Sequence, residues 1–168
     1  MARPNDYEHP LTEQELKGLA MRLVEGQTTM TLATARGGEA WAAPVYYVFV
    51  NSAFYFLSAP ASRHVKEALQ SGQASSAIYA SASTWKEIRG LQMTGYIQAV
   101  DAGLEALQVL RAYLKKYPFT MDFFKTKATP DIETFMEIFG VRLYRFIPTL
   151  AYYLDNQIRF AFKSEVKL

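Results

Sequence analysis

The sequence predicts an α+β, mainly β fold: a small closed antiparallel barrel of Greek-key-like connectivity with flanking helices. Three observations point there. Six or more short segments carry β-branched and aromatic residues at strand spacing. The first three are joined by links of hairpin length, which makes an antiparallel meander. Helical periodicity marks the start of the chain and recurs between later strands.

Taken in order, Thr12 and Glu15 form a capping-box pattern, and Leu16, Leu19, Ala20, Leu23 and Val24 follow at helical spacing, with Gly26 as the stop. Thr29 to Thr34 alternates as a strand. Gly37-Gly38 is a turn signal, Trp41 to Val50 a second strand, and Phe54 to Ser58 a third beyond a tight turn at Asn51-Ser52. Ser62 is a good N-cap residue for a short helix from Arg63 to Leu69, closed near Gly72. Ala74 to Ala80 and Ile88 to Val100 read as strands; Gly90 and Gly95 in the latter mark a bulge or a close approach of backbone or ligand. Leu104 to Lys116 is helical with Pro118 just past it, and Asp131 to Phe139 is a helix capped by Gly140. Val141 to Phe146, Ala151 to Leu154 and Ile158 to Phe162 read as closing strands. The whole is one domain, 1–168, with a tail and helix in 1–26 and a helical insertion at 102–140.

Composition narrows the function. Lys plus Arg is 18 against 16 Asp plus Glu, a formal charge of +2. That balance excludes a nucleic-acid coat but leaves room for a local basic site for a phosphate. With no cysteine, disulfides, thiolate metal sites and cysteine nucleophiles are excluded, and two histidines far apart in the chain make no dedicated metal site. No apolar run is long enough to span a bilayer, and Met1 to Pro10 is polar, so the expected location is the cytoplasm. Gly-x-Ser-x-Gly, the P-loop and Gly-x-Gly-x-x-Gly are all absent. Eleven Tyr, 11 Phe and 2 Trp are enough to fill a core and also to line a subunit interface or a planar-ligand pocket.

The informative stretch is Phe54 to Lys66, where a strand runs through a short loop into a helix start. Ser58 and Ser62 offer hydroxyls, Arg63, His64 and Lys66 offer charge or N–H donors, and the first helical turn offers unpaired N–H groups with the positive end of the dipole. Together they make a phosphate cradle. The plainer alternative is that Ser62 only caps the helix and the basic residues form a solvated face.

This segment resembles the FMN-binding split-barrel superfamily of pyridoxamine 5′-phosphate oxidase. In that family a strand-end Thr or Ser leads to a Ser-Arg-Lys-like triplet that holds the flavin phosphate; Ser58 matches the first, and Ser62-Arg63-His64 the second, with His64 in place of Lys and Lys66 nearby. The likeness continues through Thr31 to Thr34, through Pro44-Val45-Tyr46-Tyr47-Val48, along which the isoalloxazine would lie, and through Arg89 to Gly95. Tyr144 to Pro148 and Tyr153 to Asn156 resemble an uncharacterised bacterial branch of the superfamily. The resemblance implies FMN as cofactor, with Pro44, Val45, Tyr47, Ser58, Ser62, Arg63, His64 and Lys66 around it, a homodimer with the flavin in a cleft between subunits, and a flavin-dependent oxidoreductase with a small-molecule or nicotinamide electron partner. Alternatives are a flavin storage or sensing module without turnover, or the same barrel holding haem or a deazaflavin.

Two further residues join the list. Trp85 can stack on a flavin or serve as an ordinary interface tryptophan. Gln92 can hydrogen-bond a flavin ring from inside the barrel or sit on the sheet surface. The departures from the family are equally specific. The true oxidases carry an Arg and a Lys in the second strand, where this chain has Ala42, Ala43 and Tyr47, and end in a basic Arg-Leu-His-like segment, where this chain has Ile158 to Lys163. Efficient oxidation of pyridoxamine 5′-phosphate is therefore not expected.

Overall fold

A computed structural model describes residues 10–120 and 132–168. Its elements in chain order are α1 (Glu13–Gly26), β1 (Thr29–Arg36), β2 (Glu39–Tyr46), β3 (Val48–Val50), β4 (Ala53–Ser58), α2 (Arg63–Ser71), β5 (Ala74–Tyr79), a 3₁₀ turn (Trp85–Glu87), β6 (Arg89–Ala99), α3 (Leu104–Lys116), α4 (Ile132–Phe139), β7 (Arg142–Asp155) and β8 (Lys163–Glu165). All eight strands belong to one antiparallel sheet, ordered β2-β1-β5-β6-β7-β4-β3, with β8 paired to β7. The two edges of that order, β2 and β3, are consecutive in the chain and separated only by Tyr47. One bent strand therefore serves both edges, and the sheet curls into a barrel.

The barrel is built as its sequence pattern dictates. Met30 and Leu32 of β1, Phe54 and Phe56 of β4, Ile78 of β5, Leu91 and Met93 of β6, and Tyr144 and Phe146 of β7 point inward and are buried together. Helix α1, fixed by the Thr12–Glu15 capping box, presents Leu16, Ala20, Leu23 and Val24 to the same core. Strand β4 is buried on both faces, because α3 lays Ala106, Val109, Leu110 and Tyr113 against Tyr55, Val48 and Leu143 on the outside. This explains the unbroken apolar run Phe54 to Leu57.

Several expectations need correction. The second strand starts at Glu39 and breaks at Tyr47, where the Tyr117 hydroxyl accepts the Tyr47 N–H at 3.2 Å and lies against the Tyr47 and Thr28 carbonyls. The first helix includes Gly26, and α2 runs on to Ser71, where Gly72 takes the left-handed conformation (φ 68°). The two strands expected at 141–146 and 151–154 form one, β7. Pro148, which has no N–H to give, is tolerated because the register slips between Thr94 and Gly95, leaving a bulge. No strand forms at Ile158 to Phe162: the Asp155 side chain accepts the Gln157 N–H at 2.8 Å and Asn156 accepts that of Ala161 at 3.0 Å, turning the chain so that pairing resumes only at Lys163. Helix α4 is described from Ile132; Asp131, His9 and the rest of the first nine residues lie outside the described residues.

Candidate functional site

Strand β4 ends at Ser58, which is buried, and α2 begins five residues later at Arg63. The Ser58 Oγ lies 2.9 Å from His64 Nε2 and 3.1 Å from Ser62 Oγ, and Ser62 Oγ lies 3.4 Å from the same imidazole nitrogen. The expected cap is not made: Ser62 bonds no backbone N–H of α2, its hydroxyl being turned to Ser58 and His64. The first turn of α2 contains no acid. Its N–H groups and dipole thus face two hydroxyls and an imidazole, a donor set suited to a phosphate. Burial pushes the His64 pKa down, so the free site holds a neutral imidazole at pH 7.

Arg63 starts the same helix but is already engaged. Its Nε donates to Glu67 Oε1 at 2.7 Å, one Nη donates to Glu39 Oε2 at 3.1 Å, and the guanidinium lies 4.9 Å from the Trp41 ring centroid. Glu67 is buried on the next turn and also accepts the Thr34 hydroxyl at 2.6 Å. The Thr34 hydrogen bond, then Arg63, hold its carboxyl below the usual range. Lys66 is exposed on the outer side of α2.

The remaining candidates scatter. Val45 points into the barrel core and Tyr47 is fully buried, its hydroxyl donating to the Val24 carbonyl at 2.7 Å, so neither offers surface to a ligand in this chain. Pro44 faces outward. Gln92 is on the outer face too, not inside the barrel, because its neighbours Leu91 and Met93 take the inward positions. Through the sheet register Pro44, Thr31, Ala77, Gln92 and Tyr152 form one row across that outer face, with Ala42, Ala33, Ser75, Thr94 and Leu150 as the next. Small side chains pave the middle of it, and a hollow of about 320 Å³ opens between Thr31, Ser75, Gln92 and Tyr152. Trp85 is half exposed, edge-on to Phe160 with centroids 5.4 Å apart. Sequence reasoning missed Glu39, Glu67, Thr34 and Trp41. Only the Arg63–Glu67 pair left a signal, its i,i+4 spacing on a helix.

No cluster of three His, Asp or Glu side chains that could hold a metal is present among the described residues, and no helix among them is long and apolar enough to cross a membrane.

A barrel closed by one bent strand, with a strand-end hydroxyl facing a helix start, defines a split-barrel protein. A family model described as pyridoxamine 5′-phosphate oxidase matches residues 16–142, most of the chain, and the chain belongs to that family. No curated protein matches it. Among solved structures it resembles ChuZ of Campylobacter jejuni, with a TM-score of 0.71 at 13% identity over 96% of this chain and 62% of that one. It resembles HutZ, a haem storage protein of Vibrio cholerae, with a TM-score of 0.61 at 15% identity over 79% of this chain and 89% of that one. An FAD-binding protein of Mesorhizobium loti gives 0.57 at 12% identity over 79% and 89%. At such identities the likeness is one of fold.

Proposed function

We propose that this protein binds FMN and works as a flavin-dependent oxidoreductase, with the flavin phosphate at Ser58, Ser62, Arg63 and His64. The observation that carries the reading is the uncapped start of α2, where two hydroxyls and an imidazole converge on an acid-free helical turn. The residues fit the group: a phosphate there would take N–H donors from the first turn, hydroxyl protons from Ser58 and Ser62, and charge from Arg63. When bound, a flavin supplies two-electron chemistry through a hydride at its N5 and can also pass single electrons. The chain's share is to orient it. The paved outer face of β2, β1, β5, β6 and β7 suits a second copy, and we place the flavin ring in the cleft that such a homodimer forms, near Pro44 and with Gln92 from the outer face. The fold neighbours include an FAD-binding protein, which favours a flavin, and a haem storage protein, which favours haem. Against haem, His64 is buried with its Nε2 engaged by Ser58, so an axial ligand would have to break that contact.

The visible spectrum of the untreated protein tests the reading. Two bands in the blue and near ultraviolet are expected for flavin; a single band would point to a deazaflavin and a sharp Soret band to haem, and either would replace it. Arg63→Ala is expected to weaken FMN binding by about 1.5–3 kcal/mol in a fluorescence titration, the range for hydrogen bonds to a charged group; unchanged affinity would move the phosphate elsewhere.

A further inference from the structure

Arg63 is held by two carboxylates of unlike character. Glu67 is buried, its side chain 6% exposed, and is fixed from two sides: Oε1 takes the Arg63 Nε–H and Oε2 takes the Thr34 hydroxyl. Glu39 is 78% exposed, stands at the first position of β2 opposite Arg36, and reaches Arg63 through a single contact to Nη2 at 3.1 Å. A buried, doubly bonded carboxylate is costly to move, whereas an exposed ion pair is worth little and exchanges readily. The terminal nitrogens of an arginine are also the edge that accepts a phosphate. The guanidinium carbon also lies over the Trp41 ring, 4.9 Å from its centroid, a cation–π contact.

We propose that Glu39 is a built-in competitor for the anion seat on Arg63, and that Glu67 is the positioning residue that keeps the guanidinium aimed at that seat while the two anions exchange. The proposal rests on the phosphate-binding reading above and names the class of group exchanged, a phosphate monoester. The four charges facing one another, Arg36, Arg63, Glu39 and Glu67, sum to zero. A phosphate entering the seat repels Glu39, which is free to swing into water, while Glu67 stays put because Thr34 and the helix hold it. The seat is thereby closed to weak anions and yields to one that brings further contacts with Ser58, Ser62 and the helix N–H groups.

Calorimetric titration of the flavin-free protein with FMN, riboflavin and inorganic phosphate tests this. Glu39→Gln is expected to tighten FMN and inorganic phosphate about two- to fivefold, the range of an exposed ion pair, and to leave riboflavin unchanged. In an Arg63→Ala background the same change should have no effect. Glu67→Gln should weaken FMN about tenfold without altering riboflavin, with partial recovery in Glu67→Asp. Should the Glu67 variants not fold, as thermal melting would reveal, the Glu39 and Arg63 cycle decides alone. Equal effects of Glu39→Gln with and without Arg63, a matching shift in riboflavin, or no effect on FMN overturns the proposal. If neither flavin binds the wild-type protein, the flavin reading falls; inorganic phosphate then decides for the seat, since tightening by Glu39→Gln upholds the competitor and no change, or no phosphate binding at all, overturns it.

Discussion

Lys116 ends α3 with its Nζ 3.9 Å above the Tyr47 ring centroid and 3.4 Å from the Val24 carbonyl, partly withdrawn from water. Desolvation pulls its pKa down to about 8, only weakly opposed by Glu25. An unfolded lysine titrates near about 10.4. Between pH 8 and roughly 10 the unfolded chain therefore holds a proton that the folded one has given up, and stability should rise with pH across that window. Above it the sign reverses. Burial raises the phenols of Tyr47 and Tyr113, and that of Tyr117 to about 12, so the unfolded chain ionises first and the fold loses stability. Amine labelling followed by mass spectrometry should place the midpoint for Lys116 near pH 8, about two pH units below the ordinary lysine value; a midpoint of about 10 would contradict the burial argument. At this scale the cradle was half legible. Ser58, Ser62, Arg63 and His64 are neighbours in the chain, so a local pattern exposes them. Glu39 and Thr34 reach Arg63 and Glu67 because β2 and β1 pack against α2, and no spacing rule in a single sequence links them.

Two hairpin turns show how local chemistry sets an element. Gly37 and Gly38 both have positive φ, at 59° and 84°, as the two-residue turn between β1 and β2 requires. Asn51 and Ser52 take the same conformation, at 48° and 60°, between β3 and β4. Asparagine tolerates it, but serine there pays a steric cost. Ser52→Gly should stabilise the protein by about 0.5–1 kcal/mol, the left-handed penalty less the extra chain entropy of glycine, measured by denaturant melting. Gly95 is the opposite case. A Cβ built there would lie 2.0 Å from the Ile147 carbonyl oxygen, at the bulge that admits Pro148. Backbone must yield, so Gly95→Ala should cost about 3 kcal/mol or more by the same measurement; a loss under about 1 kcal/mol would mean that the bulge is soft. The bulge was foreseeable from a glycine inside a strand. The break at Tyr47 was not, because its cause is the hydroxyl of Tyr117, 70 residues away. The misread strand at 158–162 failed for a related reason: apolar alternation lost to side-chain hydrogen bonds from Asp155 and Asn156.

At the scale of the molecule, closure by one bent strand leaves Ala33, Ala42, Pro44, Ser75, Gln92 and Thr94 exposed on the outer face of β2, β1, β5, β6 and β7 among the described residues, and the small side chains there favour close approach of a second sheet. We expect a homodimer in light scattering at micromolar concentration; a flavin-loaded monomer would refute the cleft. The same geometry bears on substrate. The oxidases for which the family is named hold the substrate phosphate with a cationic cluster, and a dianion leaving water needs paired charges or strong donors. From Glu39 to Val50 this chain has no Lys or Arg. Tyr47, at one of the expected cationic positions, is buried, and the nearest lysine on α3, Lys116, lies over its ring with its Nζ beside the Val24 carbonyl. Near the end of the chain Arg159 lies over Phe162 and Lys163 over Tyr152, each already matched to an aromatic face. Two or three missing charge-assisted contacts, at about 1.5–3 kcal/mol each, remove several orders of magnitude of binding. FMN-loaded protein should therefore turn over pyridoxamine 5′-phosphate far below the roughly 1 s⁻¹ at which ordinary enzymes begin. A steady-state rate at or above that value would mean that cations from the second copy rebuild the pocket, since the β2 strand of this chain has none to give.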